Sequence, residues 1–89
     1  MNTEQRKAIA SKFFDDSHEL MSILYSRWQD EKEYEDIADY GKVISEKVDA
    51  IGGTFVKMKK RPFGFTYKLA DAEYLIAMSG SAYQYKRIA

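Results

Sequence analysis

The one histidine, His18, has a carboxylate and a hydroxyl within about one helical turn, at Asp15 and Ser22. Residues three and four apart are neighbours on a helix. This spacing would therefore bring together the residue types of a Ser-His-Asp catalytic triad: a serine nucleophile, a histidine base and an aspartate that orients the histidine. All three would project from one helix surface, with no cleft and no donors for an oxyanion. We therefore predict that His18 is a surface residue and not a catalytic one.

Other site chemistries find no better support in the sequence. With one histidine and no cysteine, a transition-metal site is not expected. Neighbouring acids such as Glu35 and Asp36 would point about 100° apart on a helix, so they do not converge as a general acid and base must. The acidic residues lack the spacing of a calcium loop, and Gly52-Gly53 precedes a strand pattern and not a phosphate-binding helix. We expect no cofactor, no metal and no enzymatic activity.

Two amphipathic helices are predicted in the first half of the chain. Apolar residues recur at helical spacing from Ile9 to Trp28 and predict one helix over residues 4–29, capped by Thr3. The alternative is a break near Asp16, which forms a capping-box pair with Glu19.

The second helix is predicted to follow another capping-box pair, Asp30 with Glu33. Its apolar stripe runs to Ile51 in steps of three and four, and Gly52-Gly53 then supplies the glycine that commonly closes a helix.

After these glycines the hydrophobic period changes from 3.6 to 2, which predicts four short strands. They are Thr54–Lys60, Phe63–Leu69, Glu73–Met78 and Ser81–Ile88. Short connections imply antiparallel neighbours. We predict one α+β domain over residues 1–89, with two N-terminal helices packed on one face of a C-terminal antiparallel β-meander of three to four strands.

Charge is segregated along the chain although the formal net charge is zero. Residues 30–39 carry six acids against one base, and residues 53–89 carry seven bases against two acids. Such asymmetry bears on binding partners and association rates and not on the fold. It makes a docking surface in the last third of the chain the leading functional hypothesis.

Alternation along the strands assigns side chains to the two faces of the sheet. The bulky alternate residues of Phe63–Leu69 must face the helices, and Val56 with Met58 form the natural inward pair of the first strand. In the last strand the pattern leaves open whether Tyr83 and Tyr85 point inward or outward. If they point outward, bases and aromatic rings share the open side of the sheet. The candidate binding residues are then Phe55, Lys57, Lys59, Lys60, Arg61, Lys68, Tyr83, Tyr85 and Arg87.

Such a face suits an acidic protein surface, because Tyr and Arg are favoured anchors of protein interfaces. It also suits single-stranded nucleic acid, through phosphate pairing and base stacking. The alternative is that the face binds no partner. Its lysines would then only prevent the solvent-exposed sheet from aggregating. We expect a small binding protein that occludes or bridges another protein, a type common among bacteriophage and mobile-element products.

Several further possibilities stay open at this stage. The acidic residues 30–39 could imitate nucleic-acid phosphates, and the wide apolar stripe of the first helix leaves a homodimer open. With no cysteine, no apolar N-terminal run and no stretch long enough to span a bilayer, the expected location is the cytoplasm, without membrane contact.

A third of the chain resembles a helix-turn-helix, through Ile37-Ala38, Val43, Ser45, Val48 and Ile51. The resemblance implies a winged-helix nucleic-acid binder, with a break near Gly41, a recognition helix over residues 44–51 and a wing over residues 54–69. The sequence departs from the pattern at Glu46 and Asp49, because acids in a recognition helix repel phosphates.

Overall fold

The computed structural model describes residues 1–30 and 37–89, in which two helices are followed by four strands. The elements are α1 (Thr3–Asp30), α2 (Ala38–Ala50), β1 (Thr54–Lys60), β2 (Phe63–Leu69), β3 (Ala72–Ser79) and β4 (Ala82–Arg87). The strands form one antiparallel sheet in the order β1-β2-β3-β4. The predicted α+β class, two helices followed by an antiparallel meander, is confirmed.

Helix α1 is continuous through Asp16, so the alternative break there is wrong. Its cap is one residue earlier than predicted. Asn2 Oδ1 accepts a 2.8 Å hydrogen bond from Gln5 N, and Gln5 Oε1 accepts a 3.0 Å bond from Asn2 N. This reciprocal pair satisfies two of the N–H groups that a helix start leaves free, which explains why the helix begins at Thr3.

Helix α2 begins at Ala38, so the predicted start directly after Asp30 is wrong. Asp30 is instead the last residue of α1. Its proposed capping partner, Glu33, lies outside the described residues. At the other end, Gly53 N donates to the Val48 carbonyl at 3.0 Å, after Gly52 adopts a φ of +80°. That left-handed conformation is the one expected of a glycine that closes a helix.

No break occurs in α2 at Gly41, so the turn of the proposed helix-turn-helix does not exist and residues 44–51 are not a separate recognition helix. A Cβ at Gly41 would lie 3.4 Å from Cζ of Phe55, and Met58 is the next neighbour. These are ordinary van der Waals distances, so α2 packs against β1 at a separation that also accommodates a Cβ at position 41.

The core lies between the helices and one face of the sheet. Helix α1 covers β2, β3 and β4, whereas α2 packs on β1. Phe65 and Tyr67 are fully buried there, and the Phe13 ring meets Tyr67 edge-on at a centroid distance of 5.1 Å. The prediction that the alternate bulky residues of β2 face the helices is confirmed. Neither α1 nor α2, the helices of the described residues, has the length and apolar character that a bilayer crossing requires.

A β-bulge corrects the face assignment of β1. Phe55 pairs with Tyr67 but Lys57 pairs with Thr66, so Val56 is an extra residue between them. Because the register slips by one at this point, Phe55 joins the helix side, while Val56 is left 41 % exposed. The predicted inward pair is therefore right for Met58 and wrong for Val56.

A buried cation fixes the N-terminal half of α1 to the sheet. Arg6 is 1 % exposed, and its Nη1 lies 2.6 Å from Asp71 Oδ1 in the β2–β3 turn. Its Nε also donates to the Tyr74 hydroxyl at 3.1 Å. A buried guanidinium needs such partners, because an unpaired charge in the interior is strongly destabilising.

Candidate docking face of the sheet

The side of the sheet that the helices leave uncovered, called the open face below, is defined by strand register. Residues directly opposite each other in antiparallel strands lie on the same face. Two rows of four residues cross the sheet, and a shorter row of three lies beside them. They are Lys57–Thr66–Leu75–Lys86, Lys59–Gly64–Ala77–Gln84 and Thr54–Lys68–Glu73.

These rows carry four lysines and one acid, Glu73. Lys57 and Lys59 lie on the outer strand β1, and Lys86 lies on the opposite outer strand β4. Lys68 lies on β2, near the end of the shorter row. Like charges gathered on one side of a small protein produce a field that attracts anionic partners at low ionic strength.

The centre of the open face is built from small and apolar residues. Gly64 and Ala77 face each other there, and a Cβ built at Gly64 would overlap the carbonyl oxygen of Ile76. Only glycine permits this close approach of β2 and β3. Leu75 is half-buried, and Thr66 is 3 % exposed with a hydroxyl that makes no hydrogen bond to any described residue.

A groove of about 390 Å³ runs over this centre and reaches the β1–β2 turn. Its lining combines aliphatic and small side chains with the stems and charged ends of lysines. The lining residues are Lys59, Pro62, Leu75, Ala77, Gln84, Tyr85 and Lys86. The arrangement is an uncharged floor with cationic groups on both outer strands.

The structure does not place the two tyrosines of β4 on the open face. Tyr83 pairs with Met78 and Tyr85 with Ile76, so both rings lie on the helix side. The Tyr83 ring stacks on Phe14 at a centroid distance of 4.3 Å, and the Tyr85 ring lies 4.6 Å from the same residue. Of the two orientations that the pattern left open, the outward one, on which the candidate set depended, is wrong, because β3 presents its bulky residues to the core and β4 follows in register.

Hydrogen bonds explain how the Tyr83 hydroxyl is accommodated under α1. It donates to the Phe14 carbonyl at 2.7 Å and shares a 2.8 Å hydrogen bond with the Ser17 hydroxyl. Burial raises the pKa of Tyr83, and the hydrogen bond from Ser17 opposes part of that rise. Tyr83 is therefore a packing residue of the helix side.

The other predicted site residues are dispersed. Phe55 and Arg87 lie on the helix side by register, opposite Tyr67 and Tyr74. Lys60 and Arg61 are exposed at the end of β1 and in the following turn. From the predicted set, the structure brings together on the open face only Lys57, Lys59 and Lys68.

Lys86 lies on the open face although it is not among the predicted binding residues. The signal was present in the turn. A two-residue connection of Gly80 and Ser81 forces Met78 to face Tyr83, and Met78 belongs to the bulky, core-facing set of β3. The predicted strands already left a two-residue turn, Ser79-Gly80, and the register of that turn also places Lys86 outward.

His18 occupies the rim of a different surface. Its ring lies 4.7 Å from that of Tyr83, and in the described chain no hydrogen bond joins it to Asp15 or Ser22. No group of three or more potential metal ligands occurs within residues 1–30 and 37–89. The geometry offers no assembled triad at the position that the spacing singled out.

A second concavity separates the two helices on the opposite side of the molecule. This interhelical groove has a volume of about 470 Å³, and Phe13, Leu20 and Ile51 contribute to its walls. Ile23 also lines it and is 46 % exposed. The acidic segment 30–39, proposed to imitate phosphates, lies mostly outside the described residues. Of its acids, only Asp30 and Asp39 are described.

Comparison of the chain with protein-family models, with curated proteins and with solved structures gave no match.

Proposed function

We propose that this protein acts by binding an acidic surface of another protein to the open face of its sheet, without catalysing a reaction. The observation that supports this proposal is the arrangement of an uncharged centre, with Gly64, Leu75 and Ala77, between lysines on both outer strands. Protein interfaces commonly have such a centre, depleted of charge, surrounded by a polar rim.

A protein partner is favoured over nucleic acid by the position of the aromatic rings. Single-stranded nucleic acids are held largely by stacking of bases on exposed rings. By register, no aromatic side chain of the described residues belongs to the open face, since Phe55, Tyr83 and Tyr85 all lie on the helix side. Tyr85 lines the groove from the outer strand β4 and is the one aromatic residue among the described lining residues. Phosphate contacts from lysines alone would remain, and they carry no preference for a sequence.

The lysines would act mainly on the rate of association. Charges at the rim of an interface steer the encounter and contribute less to its lifetime. The half-buried Leu75 would then exclude water from the centre of contact, where most of the binding energy of an interface is concentrated. The acidic surface of a partner bound in this way would no longer be accessible to other molecules. Binding would block or bridge the partner by this means.

Binding is tested with three sets of fluorescent probes. The first set consists of short peptides in which Glu or Asp alternates with apolar residues, and the second replaces every acid by Lys. The third consists of single-stranded and double-stranded oligonucleotides. Anisotropy is measured at several salt concentrations, and amide chemical shifts locate the bound probe on the protein. We expect the acidic peptides to bind and to shift Thr66, Leu75 and Ala77.

Charge-reversal variants make the test specific. Lys57→Glu and Lys86→Glu should slow association of the acidic peptides, most strongly at low salt, while thermal unfolding hardly changes. Lys7→Glu, at an exposed position of α1, is the matched control and should behave like the unmodified protein.

Other results would contradict the proposal. Binding of oligonucleotides alone, with an affinity that falls steeply with salt, would assign the face to nucleic acid. Chemical shifts confined to Leu20, Ile23 and Ile51 would assign recognition to the interhelical groove. Failure of all three probe sets to bind would leave the open face as an ordinary solvated surface.

A further inference from the structure

The two outer strands differ in what they offer to another strand. Strand β1 carries the bulge at Val56 together with Lys57, Lys59 and Lys60, and bulges and lysines are devices that discourage strand addition. Strand β4 is in unbroken register with β3 from Ala82 to Arg87. Its outer edge is therefore a regular row of backbone donors and acceptors.

The hydrogen-bond pattern shows which residues of β4 face outward. Ile88 N donates to the Glu73 carbonyl at 2.8 Å, which marks this pair as hydrogen-bonded. Hydrogen-bonded and non-hydrogen-bonded pairs alternate along an antiparallel ladder. The N–H and C=O groups of Tyr83, Tyr85 and Arg87 consequently point away from β3, toward the edge.

We propose that this edge pairs with the same edge of a second copy of the chain, antiparallel, with Tyr85 of one copy opposite Tyr85 of the other. This register joins the outward-facing groups of Tyr83, Tyr85 and Arg87 in three hydrogen-bonded pairs. A two-fold axis through the Tyr85 pair makes the contact self-complementary.

Side chains in this register are complementary on both faces. On the helix side, Arg87 lies opposite Tyr83 of the second copy, where a guanidinium and a ring attract one another. On the open face, Lys86 lies opposite Gln84, and Ile88, which is 42 % exposed, lies opposite Ala82. No cation faces another cation.

The neighbouring registers are poorer. Sliding the strands so that Lys86 meets Lys86 of the second copy places like charges directly opposite, which is destabilising. A shift in the other direction pairs Gln84 with Gln84 of the second copy. Arg87 then lies opposite Ser81 in the β3–β4 turn, so fewer outward-facing backbone groups find a hydrogen-bonding partner. The register centred on Tyr85 keeps the most hydrogen bonds without a charge conflict.

The helices leave room for this contact. Helix α1 lies over β2, β3 and β4, so its axis is centred near β3. Four strands side by side, from β3 to β3 of the second copy, separate the two α1 helices by ~14 Å. Packed helices lie about 8–10 Å apart, so the gap holds one additional layer of side chains. The Tyr85 rings, which are 37 % exposed, lie where that layer is needed.

The dimer is tested without any peptide, so that its failure is separate from failure of the binding proposal. Sedimentation velocity over a wide concentration range should show a rise from one chain mass to two. The contact is smaller than a standard interface, so the dimer should dissociate on dilution. In a sample that mixes isotope-labelled and unlabelled chains, the Hα of Gln84 should show a nuclear Overhauser effect to the Hα of Lys86 in the other chain.

A charge swap tests the register. Gln84→Lys places two lysine pairs across the interface and should weaken the dimer by roughly ten-fold. Adding Lys86→Glu to that variant restores opposite charges and should recover the dimer, which a general loss of folding would not do. Thermal unfolding of both variants at low concentration is the control for folding.

Three outcomes would overturn the inference: one chain mass at every concentration, a dimer that Gln84→Lys leaves unchanged, and intermolecular contacts that map to Ile23 on α1 and not to β4.

Discussion

Side chains of the same strands alternate between the two faces of the sheet, yet the two faces differ in composition and packing. On β2, Phe65 and Tyr67 are fully buried beneath the helices, while their neighbour Lys68 is exposed on the open face. The helix side is held by interlocking rings, whereas the open face depends on close backbone approach at Gly64 and is rimmed by cations. On β2, the core contacts and the proposed binding surface therefore involve different residues, so substitutions can test them separately.

The largest expected difference between the faces is at Phe65. Phe65→Ala should lower the free energy of unfolding by about 3–5 kcal/mol, because it removes a fully buried ring and leaves a cavity. Lys68→Ala, three residues along the same strand, should change it by less than about 0.5 kcal/mol. Urea unfolding of the two variants measures both values. Equal losses would mean that the open face is also part of the core.

Gly64 is the position where the open face itself limits stability. Gly64→Ala should cost about 1–3 kcal/mol, because the added methyl group would overlap the backbone of β3. Gly41→Ala is the matched control, since a Cβ there would lie 3.4 Å from Phe55 and alanine is the better helix former. We expect the control to be neutral or stabilising in the same urea experiment. A neutral Gly64→Ala would show that the two strands are not as close as described.

Tyr83 tests how the edge strand is held under α1. Tyr83→Phe keeps the ring stacked on Phe14 but leaves the Phe14 carbonyl and the Ser17 hydroxyl without this partner. A loss of about 0.5–1.5 kcal/mol is expected in thermal unfolding. Tyr85→Phe is the control on the same strand and should have little effect. Equal losses at the two positions would argue against the Tyr83 hydrogen bonds.

The smallest expected effect depends on pH and concerns Asp71, whose side chain is 75 % exposed and whose replacement by Asn still leaves an oxygen that can accept a hydrogen bond from Arg6. The hydrogen bond from Arg6 lowers the pKa of Asp71 below its usual range. A lowered pKa in the folded state stabilises the protein above the unfolded pKa, and this contribution disappears as pH falls through the folded pKa. Asp71→Asn should therefore be less stable than the unmodified protein at neutral pH, with a difference that shrinks below about pH 4.

The control for this prediction is Asp16→Asn, which breaks the exposed pair with Lys12. Both partners of that pair are mostly exposed, so the variant should unfold like the parent protein at neutral pH. A constant difference for Asp71→Asn over the whole acid range would show that the ionised carboxylate is not what Arg6 requires.

Most of the fold followed from hydrophobic periodicity. The change of period after Gly53 located all four strands within one or two residues, because alternation is dictated by burial of one face. The extent of α1 followed for the same reason. The start of α2 did not, since α1 extends to Asp30 and α2 begins only at Ala38, whereas a short capping pattern such as Asp30 with Glu33 can occur by chance.

The candidate site was predicted only in part because faces depend on register, and register depends on single residues. One bulged residue, Val56, moved Phe55 to the helix side, and no local signal marks it. The position of Tyr83 followed from turn length, which the sequence did contain. The burial of Arg6 could not be foreseen, because its partners Asp71 and Tyr74 are brought near by tertiary packing alone.

The irregularity at Val56 has a consequence for how far self-association can proceed. If two chains join through β4, each resulting eight-stranded sheet presents only β1 at its two ends. Those ends carry the extra residue and the lysines, so a third chain finds no regular template on which to add. Growth would then stop at a pair and not continue into a ribbon, and deletion of Val56 would remove the irregular register while leaving the lysines as the remaining protection against polymerisation.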